Sequence, residues 1–112
     1  GDSETDEERL FREVRGAYGD GAGVTVSLPD RRLILYLEGA SFTGLSDSAM
    51  QAMGREIGAY ALDRYPGAGD IDSVNARFIG TARGDAPLPR VFRFPAAELR
   101  AAWSDSAAAT TP

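Results

Sequence analysis

The chain has 112 residues, 12 basic and 17 acidic side chains, a net charge of −5, a pI of about 4.6, and neither His nor Cys. Every basic residue is Arg. These absences exclude imidazole and thiolate catalysis, disulfides, zinc knuckles, Schiff-base lysines and lysine phosphate clamps, and the negative balance argues against duplex nucleic acid as a partner.

The chain opens at Gly1 rather than Met, which reads as a removed targeting segment or tag, or as a fragment. Residues 1–4 read as a tail, 5–103 as a single α+β domain, and 104–112 as a low-complexity polar tail with little to bury. Thr5 with Glu8 three residues on has the form of a capping box, and Asp6, Glu7 and Glu8 suit the positive end of a helix dipole. Leu10, Phe11, Val14 and Ala17 or Tyr18 then recur at helical spacing, predicting a helix over 5–18 that Gly19-Asp20-Gly21-Ala22-Gly23 ends.

Val24, Val26 and Leu28 alternate with Thr25 and Ser27 as in a half-buried strand, and Pro29-Asp30 suits the centre of a type I turn. A second strand runs from Arg32 to Glu38, with Leu33, Leu35 and Leu37 on one face and Ile34 and Tyr36 on the other. With both faces apolar, it is either central and covered twice or shows Ile34 and Tyr36 to a partner. Gly39 to Gly44 reads as a loop. Ser46 is the expected N-cap of a helix over 47–65, with Leu45 and Met50 as a hydrophobic staple and Met50, Met53, Ile57, Tyr60, Ala61 and Arg64 or Tyr65 as its stripe. Gly54 and Gly58 share a face of that helix, where another backbone can approach closely.

Tyr65-Pro66-Gly67 ends the helix. Ile71 to Ile79 forms a third strand, with Val74, Ala76 and Phe78 on one face and Ser73, Asn75 and Arg77 on the other. A long loop over 80–89 leads to a fourth strand, Arg90 to Phe94, with Phe92 and Phe94 inward and Arg93 outward. Pro95 suits the first position of a short final helix carrying Leu99, Ala102 and Trp103. The order is α-β-β-α-β-β-α, which predicts an α+β fold: a four-stranded, largely antiparallel sheet with two helices on one face and a short C-terminal helix.

Each motif that suggests chemistry has a plainer reading. The glycines at 19–23 follow a helix and precede a strand, whereas a phosphate loop needs strand, glycines, helix, so they read as a helix stop. Asp70, Asp72 and Asn75 hint at a calcium loop, but position 74 is Val and no bidentate Glu follows. Arg83-Gly84-Asp85 matches an adhesion tripeptide, though Gly-Asp is also ordinary turn chemistry. Glu38 is the least poor candidate for acid–base work and reads better as a solvated strand end. Ser41, Ser46, Ser48 and Ser73 have no His or Lys to activate them. No catalytic residue, cofactor site or metal site is therefore assigned. Arg31, Arg32, Arg77, Arg90 and Arg93 form a basic strip if the two hairpins adjoin, and Trp103, the single Trp, either packs under the last helix or anchors a partner.

The segment Ile57-Gly58-Ala59-Tyr60-Ala61-Leu62-Asp63-Arg64-Tyr65-Pro66, followed by Ile71-Asp72-Ser73-Val74-Asn75-Ala76-Arg77-Phe78, resembles small exported bacterial proteins of unknown activity. In those, a helix ends in Tyr-Pro and a strand carrying Asp-Ser-Val follows a short gap. The likeness covers about a fifth of the chain and names no catalytic residue. It implies an extracytoplasmic protein, and small extrinsic proteins of this kind occur as accessory subunits of membrane assemblies, photosynthetic reaction-centre complexes among them.

The sequence thus leads to the expectation of a non-enzymatic, periplasmic or exported accessory subunit that docks on other protein subunits of a larger assembly. It carries no transmembrane segment of its own, and its association with a membrane would be peripheral, through partners. The docking residues expected are Arg31, Arg32, Ile34, Tyr36, Arg90, Arg93 and Trp103. Two alternatives are a small-ligand module with a pocket beside Gly54 and Gly58, between the second helix and the sheet, and a carboxylate-only hydrolase.

Overall fold

The computed structural model describes residues 4–80 and 89–101. The Arg83-Gly84-Asp85 tripeptide, Trp103, residues 1–3 and the 104–112 segment lie outside the described residues.

Helix α1 (Asp6–Tyr18) starts where Thr5 accepts a hydrogen bond from the Glu8 N–H, with three acidic residues in its first turn. It ends at Gly19, whose φ of 100° only glycine adopts without strain. Strands β1 (Ala22–Ser27) and β2 (Arg32–Glu38) form an antiparallel hairpin. The Arg31 N–H closes its turn on the Leu28 carbonyl, leaving Arg31 at a φ of 53°. The stretch expected to be loop contains a short helix, α2 (Ala40–Thr43). It forms because the Gly39 carbonyl accepts from the N–H groups of Phe42 and Thr43 and from the Thr43 hydroxyl, and it drives Phe42 into the core at 4% exposure.

Ser46 caps α3 (Asp47–Arg64) by accepting from the Ala49 N–H. After a 3-10 turn (Ala68–Asp70) come β3 (Ser73–Ile79) and β4 (Arg90–Pro95). Residues 96–101 are helical, and their Leu99 is fully buried. Arg100 ties this helix to the 3-10 turn by donating to the carbonyls of Ala68 and Ile71.

The sheet order is β1-β2-β3-β4. The outer pairs are antiparallel and the central β2–β3 pair is parallel. A parallel pair cannot be closed by a tight turn, and α3 lies in the crossover that joins these strands. On one side of the sheet the register aligns three cross-sheet rows: Val26, Leu33, Val74, Phe94; Val24, Leu35, Ala76, Phe92; and Ala22, Leu37, Phe78, Arg90. Against this side lie α1, α2, α3 and the 96–101 helix, enclosing a core that also holds Leu10, Val14, Met50, Ile57, Leu62 and Ile71.

The α3 glycines work by close approach. A Cβ at Gly54 would stand 2.8 Å from the Ala76 Cβ, and one at Gly58 would stand 3.1 Å from Leu99 and 3.2 Å from Val74. The helix backbone is seated against β3 at these points, so they leave no space for a ligand. At the sheet edge, α1 runs along β1, and its Glu7 Oε2 accepts a hydrogen bond from the Val26 N–H at 2.6 Å. The side chain thus blocks an edge-strand donor that would otherwise invite another strand.

Candidate binding face of the sheet

Strand alternation puts every second residue on the side away from the helices. The register makes three rows there as well: Ser27, Arg32, Ser73, Pro95; Thr25, Ile34, Asn75, Arg93; and Gly23, Tyr36, Arg77, Val91. Three arginines stand in these rows and no acidic residue does. Glu38, at the exposed end of β2 opposite Ile79, has the same strand parity. None of the ion pairs among the described residues involves Arg32, Arg77 or Arg93.

The centre of the face is partly closed. Asn75 is 2% exposed, the one buried polar residue among the described residues. Among the described residues its Oδ1 has no hydrogen-bond partner, nor do the buried Nε atoms of Arg32 and Arg77. Those three are the unpartnered buried side-chain polar atoms of the described residues, and all belong to this face. A buried polar atom without a partner costs roughly 1–3 kcal/mol, so their gathering in one place marks a surface whose hydrogen bonding is incomplete. Around them is a half-open concavity of about 430 Å³, walled by Tyr36, Ile79, Pro89, Val91 and the three guanidinium stems. The Arg77 guanidinium carbon stands 5.9 Å from the centroid of the Tyr36 ring, directly across the parallel ladder. At the β1 edge the Phe11 ring, 39% exposed, comes round to Gly23, where a Cβ would meet it at 3.1 Å.

Of the residues expected from sequence, Arg32, Ile34, Tyr36 and Arg93 share this face. Arg90 does not. It keeps the parity of Phe92 and Phe94 and so stands on the helix side, pairing with Asp47 at 2.9 Å and lying over the Phe92 ring. Arg31 is at the end of the sheet, bonded to Asp72 at 3.0 Å, and its carbonyl accepts from the Asp72 N–H. Asn75 and Arg77 complete the cluster. Their alternation with Val74, Ala76 and Phe78 is visible in the sequence, but only the parallel register sets them beside Arg32 and Tyr36.

The other candidates resolve simply. Asp70 and Asp72 are exposed, Asp72 is spent on Arg31, and Asn75 faces the sheet cluster rather than these carboxylates. Among the described residues, no group of three or more His, Cys, Asp or Glu side chains is placed to hold a metal ion, and no helix is long and apolar enough to cross a membrane. Comparison with protein-family models, curated proteins and solved structures finds no match to the chain.

Proposed function

We propose that this domain is a non-enzymatic docking module that seats the sheet face away from its helices on an acidic surface of a larger protein assembly. The observation that carries this reading is the Arg32–Asn75–Arg77–Arg93 cluster: cationic, without carboxylate partners among the described residues, and on a chain of net charge −5. A protein that needed this charge only for solubility would intersperse it with acid, as its helix surfaces do. Ile34, Tyr36, Ile79 and Val91 supply apolar area among the charges, and Arg with aromatic residues is the composition of interface anchors. The lack of His, Cys and Lys supports a role without bond-making. The extracytoplasmic setting rests on the sequence resemblance alone.

The test is a photo-crosslinking residue placed at Ile34 and, separately, at the exposed Gln51 of α3. The Ile34 probe is expected to give one discrete adduct in native extract, lost at high salt and in Arg77→Glu. An adduct of Gln51 alone, equal adducts from both sites, an adduct of two copies of this chain, or none would overturn the proposal.

A further inference from the structure

Resting on the docking reading, we infer that the element received by the concavity is an extended acidic peptide segment, with a carboxylate between the Arg32 and Arg77 guanidiniums and a main-chain amide against Asn75. The unmet groups specify this ligand. Two arginine Nε donors call for an oxyanion, and a guanidinium edge offers Nε–H and Nη–H as a fork matched to a carboxylate. The buried Oδ1 of Asn75 calls for a donor in the same place. Phosphate meets the first need and can donate to Asn75 through a remaining P–OH, but it has no apolar part to set against Tyr36, Ile79, Pro89 and Val91. A peptide meets both, since an acidic side chain is always accompanied by main-chain N–H and C=O groups. A carboxamide is their complement, accepting through one end and donating through the other. The flanks agree with a peptide rather than a bare ion. Tyr36, Ile79, Pro89 and Val91 line the same space and would cover the apolar neighbours of the acidic residue.

The experiment titrates the isotope-labelled full chain with acetyl-Ala-Glu-Leu-Glu-Ala-amide, with its Gln-for-Glu counterpart, and with inorganic phosphate, following backbone amide resonances. The Glu peptide is expected to shift the amides of Ile34, Asn75 and Arg77 saturably, and the Gln peptide to bind at least tenfold more weakly. Arg77→Met, which keeps the aliphatic stem on Tyr36 and removes the fork, is expected to weaken the Glu peptide at least tenfold. Arg32→Gln is a second variant with the same expected result, so misfolding of one does not decide the matter. Equal binding of the two peptides, no saturable shift, or phosphate binding as tightly as the Glu peptide would overturn the inference. Should the peptide fail while the Ile34 crosslink persists and still needs Arg77, the docking reading stands and the carboxylate segment falls; should both fail, the docking reading falls too.

Discussion

Arg77 sits directly across the parallel ladder from Tyr36, with its guanidinium carbon 5.9 Å from the centre of the tyrosine ring. The ring holds the arginine stem along the sheet, at a gain of about 0.5–1 kcal/mol for a cation–π contact near solvent. The buried Nε of Arg77 has no acceptor among the described residues. On the docking reading, a stem already held along the sheet lowers the side-chain entropy lost on binding.

Arg90 and Arg93 are three positions apart on β4 and fall on opposite sides of the sheet. Arg93→Gln is expected to weaken capture by the Ile34 crosslinker. Arg90→Gln is expected to leave capture unchanged and to lower stability by up to about 1 kcal/mol, because it removes a partly exposed ion pair to Asp47 and a ring contact with Phe92. Crosslinking yield and urea denaturation of both variants check this pair of outcomes.

Two glycine-to-alanine changes in helices should differ in sign. A Cβ at Gly16 in α1 would meet nothing beyond its own helix backbone within 4 Å among the described residues, so Gly16→Ala should stabilise the fold by roughly 0.5–1 kcal/mol through helix propensity. Gly54→Ala would place its methyl 2.8 Å from the Ala76 Cβ, and neither group can swing away. A net destabilisation of about 1–3 kcal/mol is expected, as for other overpacked cores. Chemical denaturation midpoints at constant m-value measure both.

Glu7→Ala should cost about 1–2 kcal/mol by removing the acceptor for the Val26 N–H, a hydrogen bond to a carboxylate. It should also raise the tendency to associate, since the β1 edge then presents a free donor. Glu13→Ala, on the same helix with no such bond among the described residues, is the control. Thermal unfolding and light scattering as a function of concentration report the two effects.

The Tyr18 hydroxyl is pushed up to about 12 from its ordinary 10.0, first by burial and then by the Glu56 carboxylate beside it. Raising the pKa of this acid means that the fold favours its neutral form. The associated stability is complete below pH 10 and is lost as pH rises through about 12. Tyr65 is raised in the same direction, by burial first and then by nearby Asp6, so it adds to the alkaline loss. An ultraviolet titration of tyrosinate is expected to show a late component that shrinks in Tyr18→Phe, and that variant should lose stability less steeply between pH 10 and 12.

The local structure was readable from the chain because near-neighbour physics decides it. Thr5 and Ser46 cap their helices, Gly19 stops one, and the alternations of Leu33-Leu35-Leu37 and Val74-Ala76-Phe78 face the core as their period demands. The face away from the helices is half readable. Arg32, Ile34, Tyr36 and Arg93 follow from alternation, while Arg90, which resembles Arg93 in charge, has the parity of Phe92 and lies on the other side. Helix α2 has no sequence signature, because its four residues, organised by the Gly39 carbonyl, are too few to show a period. Only the tertiary structure decided that β2 and β3 are parallel neighbours, since strand adjacency depends on contacts between residues some forty positions apart that no local pattern encodes. That adjacency sets Asn75 and Arg77 beside Arg32 and Tyr36, and so turns scattered polar residues into one face with unmet hydrogen bonds.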